Sequence, residues 1–138
     1  MANAKRNPPA GRAAKIIYWI ATIWLALGMT ATGAVQLSKG KSGQGGVDMI
    51  THLGYPVYFI TILGIWKILG VIAVLVPKFA LLKEWVYAGF FFVMTGALFS
   101  HIAVGDSVNE LWPSLLLLIL TVISWHLRPP GRKIILGK

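Results

Sequence analysis

Four long apolar stretches alternate with short polar segments along the chain. They cover residues 16–37, 57–76, 85–104 and 112–127. Because an α-helix rises ~1.5 Å per residue, about 20 apolar residues cross the ~30 Å hydrocarbon layer of a bilayer. The pattern predicts an all-α, four-helix transmembrane bundle. We interpret the first stretch as a retained span because it exceeds the ~7–15-residue core of a signal peptide, and an uncleaved signal anchor would have the same pattern.

Polar and aromatic residues separate these spans. Residues 39–46 form a Gly-rich polar loop, and residues 48–56 fit a short interfacial helix ahead of the second span. Residues 1–15 combine Pro-Pro with basic residues and lack an apolar period, which predicts a disordered tail. Residues 128–138 form a second basic tail, so the membrane domain is predicted over residues 16–127. Tyr and Trp concentrate at the span ends, as expected for rings that anchor at a membrane interface.

The composition indicates contact with lipid and removes several kinds of chemistry. The chain is 57% hydrophobic, with a mean hydropathy of +0.72, which is too apolar for a water-soluble domain of 138 residues. It contains no cysteine, so disulfides, thiolate metal sites and dithiol redox relays within the chain are excluded.

The net charge of +9 comes mainly from basic residues that flank the spans. The two tails and the loop with Lys78 and Lys83 hold ten of the thirteen Lys and Arg residues. The loop after the first span holds Lys39 and Lys41, and the loop after the third span holds none. Since cytoplasmic segments are enriched in Lys and Arg, we predict that both termini are cytoplasmic. Anionic lipid headgroups account for the basic tails, so we expect a lipid bilayer as partner and no nucleic acid.

Lys67 stands near the middle of the second span, where an ionisable side chain is costly and usually functional. The four acidic residues all lie at span ends or in loops, so the sequence offers no carboxylate partner for it. Three states are open. The lysine is neutral through desolvation, it extends toward the interface, or it contacts helix carbonyls, an aromatic face or a bound acceptor such as a quinone oxygen.

Small residues predict where the spans pack, because they allow helix backbones to approach closely in a bilayer. Glycines three residues before and three residues after Lys67 place this lysine on or beside a packed face. Gly89, Gly96 and Ser100 share one face of the third span, and we predict that this stripe is a helix–helix contact.

A second polar group is predicted at the outer face of the membrane. It comprises His52, His101, Asp106, Glu110 and Asp48, with Gln36 and Ser38 at the end of the first span. Histidines with carboxylates can bind a divalent metal or relay a proton, but this spacing is not a metal signature, and we predict no metal site. The structural alternative is that His101 bonds a neighbouring helix end and Asp106 turns the loop. Our candidate ligand-binding residues are Lys67, His52, Tyr55, His101 and Asp106, and we assign no catalytic residue.

Several short segments carry a family resemblance. They are residues 52–56 (His-Leu-Gly-Tyr-Pro), residues 62–64 with Lys67 and Gly70, residues 82–89, and Ser100-His101 with Gly105-Asp106. Together they resemble the DoxX-like family of small four-helix membrane proteins, within the broader DoxX/DoxD group, over about residues 17–127.

The resemblance implies a compact bundle in the bacterial inner (cytoplasmic) membrane. Relatives are associated with quinone-linked oxidation of sulfur compounds and with membrane complexes that respond to oxidative or thiol stress. Other four-helix quinone-reactive proteins work through cysteines, which this chain lacks, so that chemistry does not transfer.

Three functions are consistent with these observations. The first is a binding or accessory subunit, not an enzyme on its own, with a pocket for a quinone-like or other small apolar molecule. The second is a subunit of a quinone-linked oxidoreductase, working with a redox partner protein and a bound cofactor, since the sequence has no haem or nucleotide motif. The third is a small-molecule permease that acts as a homo-oligomer.

Reporter domains fused after Lys138 test the predicted orientation. We expect a fused green fluorescent protein to fluoresce and a fused alkaline phosphatase, which folds only after export, to be inactive, because the basic residues favour a cytoplasmic carboxyl terminus. Phosphatase activity without fluorescence would reverse the topology.

Overall fold

The computed structural model of the protein describes residues 11–135, which fold into helices without strands. Five α-helices and a short 3₁₀ turn follow in order. They are α1 (Arg12–Leu37), α2 (Val47–His52), α3 (Tyr58–Leu75), α4 (Ala80–Ala103), α5 (Val108–His126) and the turn at Pro130–Arg132. Helices α1, α3, α4 and α5 are long and apolar enough to cross a membrane. The predicted all-α bundle of four spans and the short helix α2 are confirmed.

Three of the spans begin four or five residues before the predicted positions. In α1 the segment 12–15 is helical, so the prediction of disorder was wrong for these four residues. The reason is that Arg, Ala and Lys are strong helix formers, and a spanning helix continues beyond its apolar part into the interface. The same extension gives α5 19 residues, so the helix is longer than the apolar stretch at 112–127. The tail predictions for residues 1–10 and 136–138 lie outside the described range.

The four spans surround a common interior. Their main contacts run from α1 to α3, α3 to α4, α4 to α5 and α5 back to α1. We call the end that contains the start of α1, the 76–79 connection and the 3₁₀ turn the basic end, and the opposite end, which carries α2, the α2 end.

The interior of the basic half is filled by side chains. Apolar groups from three spans form one cluster there: Leu25, Met29, Val71, Val74, Tyr87, Phe90 and Met94. Beside this cluster, Thr22 Oγ1 lies 2.6 Å from Ser124 Oγ, and the Tyr87 hydroxyl lies 2.7 Å from the same Ser124 oxygen. These hydroxyl contacts join α1, α4 and α5 and satisfy polar groups that lipid cannot bind.

The carboxyl end of α3 is bound by two cations. Buried Lys83 donates to the carbonyl oxygens of Ala73, at 2.8 Å, and Val76. Arg132 Nη1 donates to Val74 O at 3.0 Å, so carbonyls that the helix leaves unpaired are satisfied by side chains. Lys78, in the turn after α3, has a φ of 68°, in the left-handed region that is costly for a residue with a side chain. We attribute the persistence of this turn to the Lys83 hydrogen bonds around it.

Glu84, near the start of α4, is bound by side chains from the carboxyl end of α5 and the residues after it. Its carboxylate pairs with Arg128 and accepts a 2.9 Å hydrogen bond from Trp125 Nε1. Lys83 donates to carbonyl oxygens at the end of α3 instead, so Arg128 is the cation that pairs with Glu84.

Small residues bring the helices together at Lys67, as predicted. A Cβ atom on Gly64 would lie 2.9 Å from Leu37 Cγ and 3.0 Å from Gly33 O, so α1 and α3 nearly touch through their backbones. The predicted contact of the Gly89, Gly96 and Ser100 stripe was wrong for its glycines, because a Cβ on either one would meet nothing within 4 Å. Periodicity places these residues on one face of α4 but does not place a helix opposite them.

Alanine substitutions at two glycines test this packing. Gly64→Ala forces the methyl group against Gly33 O, whereas Gly89→Ala adds it to open space. We expect Gly64→Ala to be less stable than Gly89→Ala by about 1–3 kcal/mol, the usual cost of overpacking. Unfolding of both variants in detergent measures the difference, and equal midpoints would contradict the close approach of α1 and α3.

Candidate functional site

A cavity of about 800 Å³ lies between the four spans in the α2 half of the bundle. Its walls are mostly apolar and include Leu27, Phe59, Leu63, Val93, Leu117 and Leu120. Its polar lining residues are Thr32, Gln36, Gln44, Tyr55, Lys67, Ser100, His101 and Ser114. An apolar enclosure of this size with a few polar groups is typical of small-molecule sites.

Lys67 reaches the cavity from the middle of α3. Its side chain is buried, and Nζ donates a 3.1 Å hydrogen bond to Thr32 Oγ1 on α1. Thr32 donates in turn to Gly28 O at 3.0 Å, so its hydroxyl is oriented to accept from the lysine. Within residues 11–135 no carboxylate pairs with Lys67. The contact that the structure shows for Lys67 Nζ, a threonine hydroxyl, is not among the partners named from the sequence, and the three states stay predictions.

Tyr55 and Ser100 form a second polar contact at the α2 end of the cavity. The Tyr55 hydroxyl lies 2.8 Å from Ser100 Oγ, and Ser100 Oγ donates to Gly96 O at 2.8 Å. Since the serine proton is used in that bond, the tyrosine is the donor to Ser100. Gly54, with a φ of 87°, makes the left-handed turn that carries the chain from α2 to Tyr55.

Asp106 joins two histidines from different parts of the chain. Its Oδ2 lies 2.7 Å from His101 Nδ1, and its Oδ1 lies 2.7 Å from His52 Nε2. Gly105, with a φ of 80°, makes the turn after α4 that returns the carboxylate toward the helix end. Because an ionised carboxylate only accepts hydrogen bonds, both imidazoles donate to it. We call His52, Asp106 and His101 the imidazole–carboxylate chain.

Burial differs strongly along the imidazole–carboxylate chain. The His101 side chain is 3% exposed and lines the cavity, whereas the His52 side chain is 55% exposed. The hydrogen bonds from His101 and His52 lower the pKa of Asp106 below its ordinary value of 3.8. The carboxylate is therefore ionised at neutral pH and links the cavity wall to the surface.

The five candidate residues fall into two groups. Lys67, Tyr55 and His101 line the cavity. His52 and Asp106 do not line it: Asp106 accepts from His101, and His52 donates to Asp106. No group of three His, Asp or Glu side chains within residues 11–135 has the geometry to hold a metal ion.

Sequence reasoning missed part of the site. Thr32, the partner of Lys67, carries no sequence signal beyond being a hydroxyl residue within a span. Gln36 was included in the outer polar group, and the structure places it in the cavity wall, 2% exposed, with no partner for its Oε1 among the described residues.

Comparison with protein families decides the identity of the chain at the family level. Residues 20–124 match the model of the DoxX-like family. The chain belongs to the DoxX-like family. No curated protein and no solved structure matches it. With its four apolar spans, this DoxX-like protein is a multi-pass integral membrane protein.

Acid is expected to weaken the α2 end of this DoxX-like protein through Asp106. Because the folded state lowers the pKa of Asp106, its stabilising effect is complete above about pH 4 and is lost as the pH falls through the lowered value. Wild type should therefore unfold at a higher temperature than Asp106→Asn near neutral pH, and the gap should close in acid. Asp48→Asn, at an exposed carboxylate in the first turn of α2, is the control. A gap that persists unchanged in acid would contradict the role of the ionised carboxylate.

Proposed function

We propose that this DoxX-like protein is a binding or accessory subunit of the bacterial inner (cytoplasmic) membrane. In this proposal it holds a quinone-like or other small apolar molecule in the cavity between its spans. The proposal is supported most directly by one observation: a buried lysine, without a carboxylate partner among the described residues, lines a cavity that is otherwise mostly apolar.

The unused hydrogen-bonding capacity of Lys67 supports a ligand with an acceptor oxygen. An ammonium group has three donors, and Thr32 accepts only one of them within the described residues. A buried donor without a partner is costly, since water is scarce inside a membrane bundle. A carbonyl oxygen on a ring would accept from the lysine and recover part of that cost.

The walls of the cavity favour an apolar ring over a polar metabolite. Most of the lining residues are apolar, and eight of them are leucine or phenylalanine, so a bound ring would exchange lipid contacts for protein contacts. Trp24 and Phe92 belong to the lining and are also 61% and 69% exposed on the outside of the bundle. A molecule dissolved in the bilayer would therefore reach the cavity from the side, and an apolar tail on the ring would stay in lipid.

The two other functions considered from the sequence need more than binding. Electron transfer to a quinone requires a redox partner and a cofactor, and transport by four helices requires a homo-oligomer. The redox partner and the homo-oligomer stay predictions from the sequence, and neither is required for the pocket proposed here.

Binding of decylubiquinone to the purified protein tests the pocket. We expect it to raise the unfolding temperature of wild type, because a ligand that binds only the folded state stabilises it. Lys67→Met removes the donor while keeping a long apolar side chain. It should bind at least about tenfold more weakly, since a hydrogen bond to a charged group contributes ~1.5–3 kcal/mol. The unliganded Lys67→Met protein should be at least as stable as wild type, because an unpaired buried charge is removed.

Lys41→Met, at an exposed lysine of the loop before α2, is the matched control and should bind as wild type does. Equal affinities for wild type and Lys67→Met would remove Lys67 from the site. The absence of saturable binding to wild type would reject the quinone-like ligand.

A further inference from the structure

One ring nitrogen of His101 is free, and this constrains the chemistry of the ligand. His101 Nδ1 donates to Asp106, so the neutral imidazole leaves Nε2 without a proton and able to accept one. Nε2 has no hydrogen-bond partner among the described residues. It is not one of the unpaired polar atoms that are completely buried, so part of its surface is accessible. Because His101 lines the cavity and is almost fully buried, a bound molecule is the expected partner of this nitrogen.

The carboxylate behind His101 orients the imidazole, because its bond to Nδ1 leaves Nε2 on the far side of the ring. A proton taken up at Nε2 would create an imidazolium ion already paired with Asp106 at 2.7 Å. His52 donates to the other carboxylate oxygen and fixes its orientation, so Asp106 and His52 act as positioning residues. A histidine that is oriented by a carboxylate is a common proton acceptor in enzyme sites.

Lys67 supplies a second polar group to the cavity, at a greater depth than His101. By helix rise, its partner Thr32 lies about 8 Å from the end of α1, and His101 lies about 3 Å from the end of α4. The two side chains therefore enter the cavity at depths that differ by about 5 Å, which suits the two ends of one ring-sized molecule. The other titratable group of the lining is Tyr55, whereas α1 and α5 contribute only uncharged side chains to it.

Resting on the pocket proposed above, we infer that its ligand is a conjugated ring with a weakly acidic hydroxyl at one end and a carbonyl at the other. His101 accepts the hydroxyl proton, and Lys67 binds the carbonyl oxygen, where the negative charge is delocalised. In this step the ligand O–H bond breaks, its electron pair stays on the ligand, and an N–H bond forms at His101 Nε2. The products are two ion pairs, imidazolium with Asp106 and ligand anion with Lys67, and no oxidant or reductant is consumed.

Two coumarins that differ by one methyl group test this inference. The probe 7-hydroxycoumarin has a ring hydroxyl conjugated to a lactone carbonyl, and its absorption spectrum distinguishes phenol from phenolate. In the matched probe 7-methoxycoumarin the proton is replaced, so it measures occupancy of the pocket without ionisation. Both are titrated against the protein in lipid nanodiscs, with empty nanodiscs as the reference for partition into lipid.

We expect wild type to bind both probes and to lower the pH of half-ionisation of 7-hydroxycoumarin by about 1, as a nearby opposite charge does. His101→Gln should abolish this effect. Asp106→Asn and His52→Gln should reduce it, and the exposed His52 offers a substitution that leaves the cavity wall intact if Asp106→Asn folds poorly. Asp48→Asn should behave as wild type.

The outcomes separate this inference from the pocket itself. Binding of 7-methoxycoumarin with no change in the ionisation of 7-hydroxycoumarin would overturn the inference and leave the pocket. An effect on ionisation that survives in His101→Gln would also overturn it. Absence of binding by both probes would overturn this ligand class, whereas saturable binding of decylubiquinone would still support the pocket.

Discussion

The absence of water in the hydrocarbon layer governs this structure, because each polar group between the membrane surfaces must find a partner inside the bundle. At the basic end the requirement is met by long side chains. Lys83 and Arg132 donate to the last carbonyls of α3, and Glu84 pairs with Arg128. These contacts join the ends of α3, α4 and α5 at one level. These contacts hold the helix ends of the basic half together, and the cavity lies in the other half of the bundle.

The cavity departs from that rule. Lys67 has one bond for its three donors, and a nitrogen of His101 has none among the described residues. Close approach of Gly33 and Gly64 brings α1 and α3 together beside the lysine, so it cannot easily extend to water. Lys67 and His101 both line the cavity, so a molecule bound there can satisfy them.

Hydropathy was sufficient to predict four spans, because the main requirement for a spanning helix is an apolar stretch long enough to cross the hydrocarbon layer. It did not give the starts of α4 and α5, since Lys83 and Glu110 are helical without being apolar. The sequence also grouped His52 with Asp106 at one face. The hydrogen bond between them depends on the position of α2 at the end of α4. Residue spacing in the sequence does not predict that position. The face of α4 with Gly96 failed as a contact because periodicity does not identify what lies opposite.

The hydroxyl cluster of Thr22, Ser124 and Tyr87 limits how far the cavity extends along the bundle. It lies in the interior between the cavity and the basic end, together with the apolar cluster around Met29. Packed side chains of the described residues therefore close the cavity of a single copy on the side of the basic end.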